Sequence, residues 1–245
     1  ILNQNFENSE INNSFFRLET LGKVENFLPL YLAILTNKKF KPEFLIAINE
    51  ILEIYTIRVY IFGNKKGNTG IPTILDLAHK VYSNKINFTE LKKELRNLIE
   101  KNSNNSDLRK SIINLSAYNT ISQNALKLIL LDYEYYLQIE QNAKFDFGTI
   151  HELSKNNKIT IEHIAPQTLM AGIKPLENVN LLGNLVLTQQ NNLLNNKTFP
   201  SKKQLYCKSD FCSERELNEF EEWNDKTILE RGKKLQKFIM EKWKP

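Results

Sequence analysis

Cysteine is nearly absent from this chain. Cys207 and Cys212 are its only two cysteines, too few for the disulfide scaffold of a small secreted protein. No further Cys or His lies beside them to complete the ligand pairs of a structural zinc site. We interpret both as structural residues, and we expect a reducing, cytoplasmic compartment.

Long apolar runs are also missing. The longest apolar stretch, Phe27 to Leu35, contains Pro29 and is shorter than the roughly 18–20 residues of a membrane-spanning helix. No secretory signal peptide is visible, and 8 Gly and 7 Pro are too few for a fibrous or loop-rich protein. Because the sequence begins at Ile1 rather than Met, we expect it to be part of a longer protein.

The composition is that of a folded protein with a mild excess of positive charge. Hydrophobic residues make up 41% and charged residues 25% of the 245 positions, which is enough apolar surface for a core. Lys and Arg number 33 against 28 Asp and Glu, so that the net charge is +5. This charge is compatible with a polyanionic partner but does not require one.

Residues 1–150 are predicted to be mostly helical. Apolar residues recur at helical spacing from Phe27 to Leu35 and from Phe44 to Tyr55, as expected for helices that bury one face. Asn87 and Glu90 match a capping box, and Ser122 is expected to open a further helix. We therefore assign residues 1–150 to a helical domain.

The pattern changes after about Asp146. Residues 158–162 alternate and are β-branched, as in a short strand, and residues 184–188 are predicted to form a second strand after a long loop at 165–180. Residues 191–196 are expected to form a short helix or turn. The tail is helical again, with Ser213 and Glu216 as a capping box and Asp225 as the cap of the last helix. Residues 151–245 form the second predicted domain of a mainly α, α+β chain.

Histidine is the residue type from which a catalytic hypothesis starts. The chain has three, and His79 and His151 fit structural roles. His163 ends the first predicted strand after Glu162, where a rigid strand meets a loop, and this position suits either a general base or a structural histidine. Glu162 and nearby Asn side chains carry hard oxygen ligands that suit Mg²⁺; alternatively, the Asn residues are only turn formers.

Three ordered blocks carry a resemblance to a known family. They are Ile161-Glu162-His163-Ile164-Ala165-Pro166-Gln167, then Leu182-Gly183-Asn184-Leu185-Val186-Leu187, then residues 191–199 followed by Lys202 and Tyr206. Together they resemble the C-terminal nuclease domain of the GmrSD-type restriction endonucleases, a member of the HNH, or His-Me finger, superfamily. The resemblance implies a small ββα-metal finger within the mainly helical fold.

The resemblance also implies roles for individual residues. His163 matches the general base that activates water, and Asn184 matches the strand Asn that orients the loop bearing the histidine. Glu162 and Asn191 match metal ligands, with Asn192 as the alternative if the register differs by one residue. The implied cofactor is Mg²⁺ or another divalent ion such as Mn²⁺.

The implied substrate is DNA, which a nuclease holds through cationic side chains on the phosphate backbone. Candidate contacts are Lys65, Lys66, Lys197, Lys202, Lys203 and Lys208. The family usually has an N-terminal nucleotide-dependent domain. We find no phosphate-binding Gly-rich loop in this sequence, so we expect that domain or subunit to lie outside it.

We therefore expect a metal-dependent DNA endonuclease, which nicks or cuts, in a modification-dependent restriction or anti-phage defence protein. Two alternatives remain open. The first is a catalytically degenerate helical module that binds DNA or protein without cutting, and the second is an RNA nuclease that uses the same site.

Overall fold

The chain is mainly helical, as the sequence predicts. The computed structural model describes residues 6–142, 159–168 and 175–245. The helices that precede the first gap are α1 (Ser9–Leu21), α2 (Leu28–Thr36), α3 (Phe44–Tyr55), α4 (Ile71–Tyr82), α5 (Phe88–Asn102), α6 (Asn105–Asn114), α7 (Ala117–Thr120) and α8 (Gln123–Glu140). A π-helical turn at Thr56–Ile61 extends α3, and Val24–Phe27 is a 3₁₀ turn.

The described residues after the gaps begin with a two-stranded antiparallel sheet. Its strands are β1 (Thr160–His163) and β2 (Leu185–Thr188), and a 3₁₀ turn at Leu182–Asn184 leads into β2. The helices that follow are α9 (Asn191–Leu194), α10 (Phe199–Tyr206), α11 (Cys212–Arg215) and α12 (Asp225–Lys242). Both strands are confirmed close to their predicted bounds, although residue 158 lies outside the described residues.

Among the described residues, no helix combines the length and the apolar character that crossing a membrane requires.

The chain divides into two compact units. Unit 1 comprises the chain up to Ser111 together with Glu241–Pro245, and unit 2 comprises Ile112–Met240. In unit 1, α2 packs against α4, and α3 packs against α1 and α5. This division comes earlier than the boundary predicted near residue 150, because α8 packs against β2 and α11 within unit 2.

Two helix starts follow the predicted capping rules. Asn87 and Glu90 form the reciprocal capping box of α5, and the Ser122 side chain accepts a hydrogen bond from Ala125 N at the start of α8. Both arrangements satisfy backbone N–H groups that the first turn of a helix leaves without a partner.

Two other predicted caps are wrong. The start of α11 is satisfied by Glu134 of α8, whose carboxylate accepts from the backbone N–H groups of Cys212 (2.7 Å) and Ser213 (2.8 Å), so no Ser213 capping box forms. The cap of α12 is Asn224, whose Oδ1 accepts from Lys226 N at 3.0 Å. Asp225 instead accepts from Asn178 N at 2.8 Å.

A glycine allows α12 to pack closely against the turn before β2. A Cβ atom on Gly183 would lie 2.0 Å from the Ile228 carbonyl oxygen and 2.8 Å from Gly232 N, whereas a Cβ on Gly232 would meet nothing closer than 3.8 Å. The same turn is held by Arg231, which donates to the carbonyls of Gly183 (3.0 Å) and Leu185 (2.8 Å). The Gly183 position therefore admits no side chain without movement of the helix.

We predict that Gly183→Ala destabilises unit 2 by about 3 kcal/mol, the upper range for inserting a group into a packed interior. Gly232→Ala is the matched control, because its added methyl group has room and Ala is a better helix former than Gly by about 1 kcal/mol. Urea denaturation followed by circular dichroism compares the two. Equal midpoints for both variants would contradict the close approach at Gly183.

Candidate functional site

The candidate site lies at the end of the two-stranded sheet where β1 ends and β2 begins. β1 and β2 pair with Thr160 opposite Thr188 and His163 opposite Leu185, and Ile164 N extends the ladder by donating to Asn184 O at 2.9 Å. His163 is therefore the last residue of β1, directly before the irregular segment that starts at Ile164. This agrees with the strand-end position that the sequence predicts.

The Asn184 side chain organises the segment that follows His163. It is fully buried, its Oδ1 accepts from Ala165 N and Trp223 Nε1, both at 2.8 Å, and its Nδ2 donates to Ala165 O at 2.9 Å and Val179 O at 2.8 Å. These four bonds use the full hydrogen-bonding capacity of one amide. Asn184 lies in the 3₁₀ turn immediately before β2 rather than in the strand itself.

The His163 ring lies in a mostly closed environment. The residue is 9% exposed, its ring packs edge-on against the Tyr118 ring at a centroid distance of 4.3 Å, and its Nε2 lies 3.2 Å from Asn180 Oδ1. Because an amide oxygen only accepts, Nε2 carries the proton in this arrangement and Nδ1 is the basic nitrogen. Asn180 Oδ1 is itself fixed by a bond from Gln167 Nε2 at 2.7 Å.

Burial lowers the pKa of His163 from 6.5 to about 4. The positive charge of Lys202 acts in the same direction, and the hydrogen bond to Asn180 opposes both. Burial has this effect because it disfavours the charged imidazolium. The ring is therefore neutral at neutral pH, which is the protonation state that a general base requires.

Glu162 of β1 and Lys202 of α10 form a buried ion pair. Successive residues of a strand point to opposite faces, and the Glu162 carboxylate pairs with Lys202 Nζ of α10, away from the His163 ring contacts. Lys202 Nζ also donates to the His163 carbonyl at 2.7 Å. Burial raises the pKa of Glu162 and lowers that of Lys202, and each partner opposes the shift of the other.

These contacts bear on two roles that the sequence predicts, that of Lys202 at DNA and that of Glu162 at a metal ion. Lys202 is 0% exposed, so its ammonium group does not lie on a surface that DNA could reach. Glu162 does not face the same space as the His163 ring, and its carboxylate is engaged by a cation of the protein itself. The structure brings Glu162, His163 and Lys202 together, but as a packed unit rather than as an open metal and phosphate site.

Most of the other predicted site residues of unit 2 lie at its surface. Asn191 and Asn192 are exposed on α9, and Lys197 and Lys208 are exposed as well. Lys203 is half-buried and donates to Phe220 O at 2.7 Å. Within the described ranges, no group of three His, Cys, Asp or Glu side chains is arranged to hold a metal ion, and His151 falls outside those ranges.

Sequence reasoning missed two residues that contact the His163 ring. Asn180 falls in the stretch that the sequence predicts only as a loop, and Tyr118 lies far upstream on the short helix α7. The two segments are joined by a bond from Tyr118 N to Asn180 O at 3.2 Å. Only tertiary structure brings these segments together, and neither residue belongs to a recognisable motif.

Comparison with known protein families identifies the class of this protein. The model of the C-terminal domain of GmrSD restriction endonucleases matches residues 102–238, which is more than half of the chain and nearly all of unit 2. The chain belongs to this family, and it carries the part of a restriction endonuclease that this domain represents. No curated protein matches the chain.

We predict that His163 titrates with a midpoint near pH 4, to be measured from its imidazole Cε1–H NMR signal, which is assigned by its loss in His163→Ala. Because the folded-state pKa lies below the unfolded value of 6.5, the unfolded chain takes up this proton first, and folding stability falls as the pH drops from 6.5 towards 4. A midpoint near 6.5 would show that the ring is solvated.

Proposed function

We propose that this chain hydrolyses phosphodiester bonds in DNA and that His163 is the general base. One observation carries the proposal: in a member of a restriction endonuclease family, a neutral imidazole ends a strand and has its Nε2 bonded to Asn180 Oδ1. This leaves Nδ1 as the nitrogen that takes a proton from water. The water oxygen then bonds to phosphorus, and the phosphorus–oxygen bond to the leaving nucleotide breaks. The leaving oxygen takes the electron pair of that bond and a proton from solvent, and His163 returns its proton to solvent.

Asn184 serves this reaction as a positioning residue. Its amide fixes both backbone groups of Ala165, and its own carbonyl accepts from Ile164 N. The segment after His163 therefore has little freedom to move the ring. A fixed base contributes to catalysis because the reacting atoms need no reorganisation.

Exposed lysines are the proposed DNA contacts. Lys197 and Lys208 in unit 2 are exposed and carry the sequence-independent attraction to phosphates that a net charge of +5 supports. Lys65 and Lys66 are exposed in unit 1 and are further candidates. We assign no such role to Lys202, because it is buried. Lys203 donates one hydrogen bond to Phe220 O, and because an ammonium group has three donors it remains a further candidate.

A divalent cation, Mg²⁺ or Mn²⁺, remains the proposed cofactor, but the ligand set predicted from the sequence does not fit it. The Glu162 carboxylate is paired with Lys202, and Asn191 and Asn192 supply only neutral oxygens from an exposed helix. Hard cations bind preferentially through carboxylates. No step above therefore passes through a metal, and the ion requirement becomes part of the assay.

A second function is favoured by the divergence of Glu162 and His163. Because the two side chains lie on opposite faces of β1 and are both largely buried, the chain could be a degenerate finger that binds DNA without cutting it. The cleavage assay separates the two functions.

We predict that the wild-type chain nicks or cuts plasmid DNA and that His163→Ala lowers the rate by about 10²-fold or more, the usual contribution of a general base. The assay uses modified and unmodified plasmids and an RNA substrate, each with Mg²⁺, Mn²⁺ or EDTA. His79→Ala, on the exposed face of α4, is the matched control and should cleave like the wild type.

Two results would contradict the nuclease proposal. The first is equal cleavage by the wild type and His163→Ala, which would assign the activity to another residue or to a contaminant. The second is a wild-type chain that retards DNA in a gel but leaves it intact under every ion condition, which would support the binding module. Cleavage of RNA alone would change the substrate class.

A further inference from the structure

We propose that Lys202 is a positioning residue that, together with Glu162, fixes the backbone at His163, and that Glu162 serves this pair rather than a metal ion. This inference rests on the proposed nuclease function for its catalytic consequence. It assigns to both residues a role different from the one that the family resemblance implies.

Lys202 reaches two adjacent residues of β1 from a different element. It lies on α10, is 0% exposed, and its Nζ donates to the Glu162 carboxylate and to His163 O at 2.7 Å. An ammonium group has three donors and no acceptor, so two of its three donors are committed to this strand end. The side chain therefore holds α10 against the last two residues of β1.

The peptide group that joins His163 to Ile164 is held on both sides. Its carbonyl accepts from Lys202 Nζ at 2.7 Å, and its N–H donates to Asn184 O at 2.9 Å. With both groups bonded, the plane of this peptide cannot turn without breaking a buried hydrogen bond. Because the His163 Cα lies in this plane, fixing the plane restrains the backbone of the residue that carries the ring.

Glu162 makes the burial of Lys202 possible. An ammonium group that is removed from water needs a compensating charge, and the Glu162 carboxylate is the acid that forms a salt bridge with Lys202 among the described residues. A divalent cation at Glu162 would have to displace this ammonium group or lie beside it, where like charges repel. The contacts of Lys202 therefore disfavour a metal ion at Glu162.

The test compares the wild type, Glu162→Gln, Lys202→Met and the double variant, with Lys226→Met as a control that removes an exposed lysine of unit 2. For each protein, kcat and KM for DNA cleavage are measured separately. DNA binding is measured as a function of salt concentration, and urea unfolding and the His163 NMR signal are recorded.

If Lys202 positions His163, Lys202→Met should lower kcat by about 10-fold to 100-fold with little change in KM, because the base is misplaced while the DNA contacts remain. The salt dependence of binding should equal that of the wild type. If Lys202 instead contacts a phosphate, the slope of log K against log salt falls by about 0.9 and KM rises, which would overturn the inference.

Glu162→Gln and the double variant test the role of the carboxylate. A Gln oxygen can still accept from Lys202, so Glu162→Gln should keep kcat within about fivefold of the wild type, and the double variant should be no worse than Lys202→Met alone, as coupled residues behave. If Glu162 is instead a metal ligand, Glu162→Gln should lower kcat by about 10²-fold, and the double variant should lower kcat further.

Urea unfolding and the His163 signal do not require cleavage, so the inference can fail or survive separately from the nuclease proposal. The pair is supported if the double variant loses less stability than the sum of the losses in Glu162→Gln and Lys202→Met, and if the His163 signal shifts in Lys202→Met but not in Lys226→Met. Additive midpoints and an unchanged His163 signal would overturn it. If Lys202→Met does not fold, Glu162→Gln alone still separates the two roles through its kcat.

Discussion

The site depends on one buried ammonium group. Lys202 Nζ joins the Glu162 carboxylate to the His163 carbonyl, and in doing so it connects α10, the end of β1 and the residue proposed as the general base. Burying such a charge is unfavourable unless an opposite charge and further acceptors compensate for it. Glu162 and the His163 carbonyl supply that compensation, so these three residues form a single structural unit.

The other side of the same strand end is organised by neutral hydrogen bonds. Asn184 satisfies both backbone groups of Ala165 and receives the Trp223 indole N–H, while Asn180 and Tyr118 contact the His163 ring. The ring is therefore held from the backbone side by Lys202 and Asn184 and from the ring side by Asn180 and Tyr118. In the proposed nuclease, this rigidity gives the ring one tautomer and one direction.

Local sequence patterns predict the helices, both strands and the position of His163, because these features depend on residues close together in the chain. The capping box of α5 and the alternation of β-branched residues in the sequence at β1 are of this kind. The pairing of Glu162 with Lys202, the contact of Tyr118 with His163 and the Glu134 cap of α11 join residues between 40 and 79 positions apart. No local pattern encodes such contacts, which is why the sequence does not predict the ion pair between Glu162 and Lys202 and why the predicted Ser213 capping box is wrong.

Anomalous scattering from crystals of His163→Ala grown with duplex DNA and Mn²⁺ tests the central claim most directly, since this variant should bind DNA without consuming it. The account predicts that Lys202 Nζ stays within hydrogen-bonding distance of the Glu162 carboxylate and that no Mn²⁺ ion is coordinated by that carboxylate. A Mn²⁺ ion bound to Glu162, with the Lys202 side chain displaced from it, would contradict the account.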